Sequence, residues 1–149
     1  MTRNGRHPRP ASRLLAALAL SLALVAGACG ETVAAFQPNE VQLVVEMTDY
    51  KLVTNVTTVP AGATKIGVRN RGSQPHDLIV LRTDIAPDKL PYDAGRAKAE
   101  EPGRVARTKE LRAGGTAAVT ATLEPGHYVL ICNVAGHYGL GMRSALKVE

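Results

Sequence analysis

Apolar and polar positions alternate with a period of two along most of the chain after residue 40. Successive side chains of a strand point to opposite faces, so this period predicts half-buried strands. Val41, Leu43, Val45 and Met47 alternate with Gln42, Val44, Glu46 and Thr48. An extended segment over 51–59 runs into Pro60-Ala61-Gly62, a turn signal. Residues 65–70 alternate with Ile66 and Val68 on one face, until Arg71-Gly72-Ser73-Gln74-Pro75 breaks the pattern. A strongly apolar strand is predicted over 76–81 (HDLIVL). Residues 116–123 alternate through Ala117, Val119, Ala121 and Leu123, and Glu124-Pro125-Gly126 turns the chain. Strands over 127–132 (HYVLIC) and 143–148 complete the set. About seven short strands with Gly/Pro turns predict an all-β, antiparallel sandwich. Residues 82–113 are the exception, rich in charge, Ala and Pro, with a short helix expected over 94–101. Nothing in the sequence assigns this long connection a role.

The first 28 residues read differently. Arg3, Arg6, Arg9 and Arg13 precede an apolar run over 14–25 (LLAALALSLALV), too short for a permanent membrane span and suited to a secretory signal. Ala26-Gly27-Ala28-Cys29 then admits two readings. One is plain cleavage after Ala28. The other is lipoprotein processing, since the stretch resembles a lipobox; Cys29 would then take the lipid and become the new N-terminus. Lipidation is the expectation, because plain secretion would leave an exposed thiol as the first residue. The chain is thus expected outside the cytoplasmic membrane, on its outer face or in the periplasm. The expected division is a signal over 1–28, a tether over 29–40 and a folded domain over 41–149.

The formal charge of +5 suggests nucleic acid only until it is located. Beyond the four leader arginines stand 14 basic and 13 acidic side chains, a near-neutral body with no footprint for DNA or RNA.

Chemistry concentrates in Cys132-Asn-Val-Ala-Gly-His137-Tyr-Gly-Leu-Gly-Met142, a thiol, an imidazole and a thioether spaced C-x4-H-x4-M. A second imidazole, His76, follows Pro75 and shares parity with Leu78 and Val80, which points it inward. Two His, one Cys and a weak Met are the donor set of a blue-copper electron-transfer site. Thiolate and thioether favour Cu(I), while imidazole tolerates Cu(II); a set that suits both states moves little when an electron arrives. Four donors also leave no open position for a substrate, which argues for redox carriage and against an enzyme.

The pattern resembles the cupredoxin family of plastocyanin and azurin. The likeness covers most of 41–149 and is strongest over Pro75-His76-Asp77 and from Leu123-Glu-Pro-Gly-His-Tyr128 through Met142. It implies a Greek-key sandwich or barrel of seven to eight strands and one copper. By this resemblance His76, Cys132 and His137 are equatorial ligands and Met142 the axial one. Tyr128 matches a corner tyrosine. Asp77 would tie the His-bearing segment to the Cys-bearing loop, with Asn133 beside it as a further supporting residue. Four residues on each side of His137 match azurin before it and plastocyanin after it. The family often places its C-terminal His nearest the surface, so His137, rimmed by Ala135, Leu140 and Met142, is the expected electron exit. The partners implied are a transient redox donor and acceptor; the chain itself is expected to be a monomer.

Related copper sites fail residue by residue. A binuclear centre needs a second Cys where Gly136 stands, and a multicopper oxidase flanks its Cys with His, where this chain has Ile131 and Asn133. A structural zinc site would not normally recruit Met. Other readings of the same residues are a Cys29–Cys132 disulfide, a Cys132–His137 nucleophile and base, and a copper chaperone, storage or sensor module. With three Met in all, the chain is poor in the open Met-rich sites a chaperone uses. His127 has the opposite parity to Cys132 and is expected at the surface, and His7 leaves with the leader. Asn55-Val-Thr57 matches a glycosylation sequon, discounted because the leader looks bacterial.

Overall fold

In a computed structural model, Met1, Thr2 and residues 36–149 are described. The leader, the lipid-site candidate Cys29 and most of the expected tether lie outside the described residues.

Residues 36–149 fold as two sheets facing across one core. The first carries, in spatial order, β2 (Lys51–Thr54), β1 (Leu43–Thr48), β4 (Gly62–Asn70) and β9 (Thr116–Leu123). The second carries β3 (Thr58–Val59), β11 (Arg143–Val148), β10 (Gly126–Ile131), β5 (Ile79–Arg82) and β8 (Arg104–Arg107). A two-residue hairpin, β6 (Tyr92–Asp93) with β7 (Lys98–Ala99), stands apart. The period-two positions face inward as the pattern requires. Leu43, Val45, Met47, Ile66, Val68, Ala121 and Leu123 meet Leu78, Val80, Tyr128, Leu130, Leu146 and Val148 in the central cluster.

The sheets are mixed, not purely antiparallel. β1 pairs with β4 in parallel, and β11 with β3 in parallel. After the β1–β2 hairpin the chain crosses to the second sheet as β3 and returns on the far side of β1 in the same direction. Alternation reports which face of a strand is buried; it carries no information on the direction of its neighbour. The strand from Arg143 to Val148 pairs antiparallel with β10, and the corner beside it is closed by Tyr128. Its hydroxyl donates to the Glu124 carbonyl at 3.0 Å and accepts the Glu124 amide at 3.1 Å.

Long apolar runs in β5 and β10 have a physical cause. Ile79, Leu81, Val129 and Ile131 point away from the central core and would be exposed on a bare sandwich. They are buried instead with Leu90, Ala99 and Tyr138 in a second cluster. The connection after β5 folds over this outer face, and both faces of the two strands are thereby dry. His127, at the far end of β10, is exposed as its parity suggested.

The helix expected over 94–101 is absent: a turn at 94–97 joins β6 to β7. Asp93 Oδ1 accepts the amides of Gly95 (2.9 Å) and Arg96 (3.1 Å), and Ala97 takes a positive φ of 54°. An Asx turn of this kind competes with helix and closes a hairpin. Among the described residues the one helical turn is a 3-10 turn over Pro38–Glu40.

That turn lies within the stretch expected to be a tether. Ahead of it Phe36 is buried, its ring against Gly67 on the outer face of β4 and beneath the Arg69 guanidinium at 4.8 Å from the ring centroid. A Cβ at position 67 would run into that ring, so glycine makes the seat. The packed body therefore begins no later than Phe36. Phe36→Ala should lower the unfolding free energy by about 3 kcal/mol, read as a lower denaturant midpoint. An unchanged midpoint would show that the ring is not part of the cooperative unit.

Candidate metal centre

Two segments far apart in sequence supply the site. His76 stands just ahead of β5 and is held in an isolated antiparallel bridge with Leu111, its amide donating at 3.0 Å and its carbonyl accepting at 2.7 Å. Cys132 ends the β10 run, and its amide donates to the Met142 carbonyl at 3.0 Å. Between them the chain turns back tightly. The His137 amide donates to Val134 O at 2.9 Å, and the Met142 amide to His137 O at 3.1 Å. Gly136, at φ 86°, makes a bend that a side chain would strain.

These turns bring His76, Cys132 and His137 together. Their candidate ligand atoms lie within 4.8 Å of one another, and all three residues are buried. His76 Nδ1 and His137 Nδ1 are 3.1 Å apart, and Cys132 Sγ lies 3.7 Å from the first and 3.5 Å from the second. Met142 is fully buried in the central cluster and joined through its backbone to both Cys132 and His137. Met142, expected both as the axial donor and as part of the rim, is fully buried and therefore forms no part of an exposed rim. The rim is left to Ala135 and to Leu140, which is 59% exposed.

The donor set suits copper. Two imidazole nitrogens and a thiol face one another in a dry pocket, an arrangement that gains little from hydrogen bonding among its members. A borderline-soft ion that accepts nitrogen and sulfur satisfies all three. Burial pushes the Cys132 thiol up to about 12, so without an ion it stays protonated. His137 is held below the ordinary imidazole range, by burial first and then by the facing His76. Both groups rest neutral, and an ion would displace the thiol proton.

Behind the donors runs a hydrogen-bonded frame. Asp77 Oδ1 accepts the Asn133 amide at 2.7 Å, which ties the residue after His76 to the residue after Cys132. Asp77 Oδ2 takes the Arg107 guanidinium at 3.1 Å. Asn133 in turn pairs with the backbone of Ala99 on β7, accepting its amide and donating to its carbonyl, both at 2.9 Å, and donates to Glu101 at 2.8 Å. The connection after β5 braces the ligand loop at three further points. Ala97 O accepts the Gly136 amide at 2.7 Å, the Tyr138 hydroxyl accepts the Leu90 amide at 3.0 Å, and Tyr92 stacks on Tyr138 at 6.0 Å.

Two residues near the site had no signal in the sequence. Asp49 and Tyr50 form the turn between β1 and β2. Asp49 Oδ1 lies 3.3 Å from His76 Nε2, and the Tyr50 ring meets the His137 ring edge-on with centroids 5.5 Å apart. The hydroxyl of Ser73 first, then the amides of Gln74 and Ser73, hold the Asp49 carboxyl well below the usual carboxylate range. An Asp in a turn is ordinary, so nothing local marked it. Glu101 and Arg107, the outer members of the frame, were equally unmarked.

Comparison with known proteins follows the same line. The chain matches the cupredoxin-like domain family over residues 14–141. No curated protein matches it by sequence. Among solved structures it is similar to auracyanin from Roseiflexus castenholzii, with 24% identity over 71% of this chain and 94% of that one, at a TM-score of 0.55. Rusticyanin from Thiobacillus ferrooxidans gives 18% identity over 72% and 75%, at a TM-score of 0.58. Auracyanin A from Chloroflexus aurantiacus, described as a blue copper protein, gives 23% over 71% and 98%, at 0.50. At these identities the likeness speaks for the fold.

The raised thiol makes a direct prediction for the metal-free protein. Alkylation of Cys132, followed by mass spectrometry of its peptide, should be slow at pH 8 and keep accelerating toward pH 12. A plateau near pH 9 would mean that the thiol is not in the dry pocket described.

Proposed function

Because the chain belongs to the cupredoxin family, we propose that it is a one-electron carrier whose single copper is held by His76, Cys132 and His137, with Met142 as the weak axial donor. The observation that carries this reading is the convergence of His76 Nδ1, Cys132 Sγ and His137 Nδ1 in one buried pocket. Bound copper supplies the redox chemistry, alternating between Cu(II) and Cu(I). The protein's own part is to hold the donors still and keep water away. His76 and Cys132 are fully buried and His137 nearly so, and the frame through Asp77 and Asn133 resists movement when the charge changes. A ligand set that need not rearrange lowers the cost of each transfer.

The reading favours a carrier over an enzyme, since four protein donors leave no position for substrate. It extends to transient redox partners outside the cytoplasmic membrane, with the chain as a monomer held there by lipid on Cys29. The exit we assign to His137, whose ring meets that of half-exposed Tyr50 and whose loop presents Leu140 to solvent as an apolar contact. Such a contact suits brief, weakly held encounters better than a permanent complex.

One equivalent of Cu(II) should give an intense blue band with narrow copper hyperfine splitting, and Cys132→Ser should lose both. A pale, ordinary Cu(II) spectrum in the wild type would remove Cys132 from the ligand set and the carrier reading with it. Leu140→Lys should leave the spectrum intact and slow electron transfer to a redox partner by about tenfold. Unchanged partner kinetics would place the exit elsewhere.

A further inference from the structure

The turn between β1 and β2 touches both imidazoles, although neither of its residues belongs to the donor set. We propose that Asp49 and Tyr50 are positioning residues for the two histidines: Asp49 orients His76 from its outer nitrogen, and Tyr50 shields His137 from solvent. This rests on the reading of His76 and His137 as copper ligands.

The geometry of Asp49 carries the first half. Its carboxylate is fixed before it meets the imidazole. Oδ1 accepts the amides of Ser73 (2.9 Å) and Gln74 (3.0 Å), and Oδ2 accepts the Ser73 hydroxyl at 2.6 Å. A Cβ at Gly72 would run into Oδ1, so glycine makes room for it. The acceptor so placed lies 3.3 Å from His76 Nε2. A carboxylate can only accept, which puts the ring proton on Nε2 and leaves Nδ1 bare toward Cys132 and His137. The same contact places a full negative charge one ring away from the donor atom. An outer partner of this kind makes the ligand more basic and favours the higher metal charge.

Backbone strain points to the second half. Tyr50 sits at φ 66°, a left-handed conformation that a two-residue hairpin normally gives to Gly or Asn. A bulky aromatic there costs stability, and such strain gathers at functional sites. Its ring stands edge-on over His137, while Tyr50 itself remains 45% exposed. The ring is therefore a cover between the imidazole and water.

The test compares the wild type with Asp49→Ala, Asp49→Asn, Ser73→Ala and Tyr50→Gly. Nitrogen-15 spectra of the imidazoles in the metal-free protein should show His76 as the single Nε2–H tautomer in the wild type and in Ser73→Ala, and as a mixture in Asp49→Ala. A wild-type proton on Nδ1, or no change in Asp49→Ala, would overturn the orienting role. In the copper-loaded protein Asp49→Asn should shift the Cu(II) to Cu(I) ratio at fixed poise toward Cu(I) by about tenfold. Ser73→Ala, which loosens the turn but spares the contact to His76, should shift it less than about twofold. Equal shifts in the two would mean that Asp49 only braces the loop. Tyr50→Gly should keep or raise the thermal midpoint of the metal-free protein, because the strain is relieved, yet speed extraction of Cu(I) by a chelator about tenfold. An unchanged extraction rate would overturn the shielding role. Should the wild type give no blue band, the copper reading fails, and the metal-free spectra still decide what Asp49 does to His76.

Discussion

The hydrogen bond from the Asn133 amide to Asp77 Oδ1, at 2.7 Å, is the contact on which the metal centre depends. It joins the neighbours of two donors that lie 56 residues apart in sequence. Without it, the two segments would lose their direct link at the donors, and the pairing of β5 with β10 would fix the strands but not the chain beyond their ends. The bond is buried, and its acceptor carries a charge that Arg107 offsets from the outside. A carboxylate so placed accepts strongly and would be costly to strand, so the two segments stay together whether or not an ion is present.

From that bond the rest of the architecture follows outward. Asn133 continues the frame to Ala99 and Glu101, which lie on the connection after β5. The same connection buries Ile79, Leu81, Val129 and Ile131 and meets the ligand loop at Gly136 and Tyr138. What looks in sequence like a decoration is thus a second layer. It dries the outer face of the ligand-bearing strands and stiffens the loop that carries Cys132, His137 and Met142. The opposite side of the site is closed differently, by a two-residue turn that gives one side chain to each imidazole. The site is held by neighbours on both flanks, and rigidity of this sort is what an electron carrier needs, since any movement of the donors on a change of charge raises the barrier to transfer.

Much of this was legible in the residues themselves. The alternation through Leu43, Val45 and Met47, and through Ala117 to Leu123, announced half-buried strands, because the side-chain period of a strand is local. The ligand candidates Cys132, His137 and Met142 stood out because one short loop carries them, and spacing within a loop limits what its side chains can meet. Tyr128 and Asp77 were readable through their family resemblance, each tied to a short motif. The unreadable parts share one cause. The parallel pairing of β1 with β4, the hairpin in place of a helix at 94–101 and the burial of Phe36 on Gly67 all depend on what lies opposite in space.

The same division runs through the site. Residue types and their spacing along the chain settled the fold class and the chemistry of the donors, since thiol, imidazole and thioether bring their preferences with them wherever they stand. Distances along the chain said nothing about Asp49 and Tyr50, which reach the histidines from a turn 27 residues before His76. Nor could they show that the connection after β5 is structural. Those facts arise when two sheets close on one another, because burial and long-range hydrogen bonds are properties of pairs of surfaces, and no single segment contains both members of the pair.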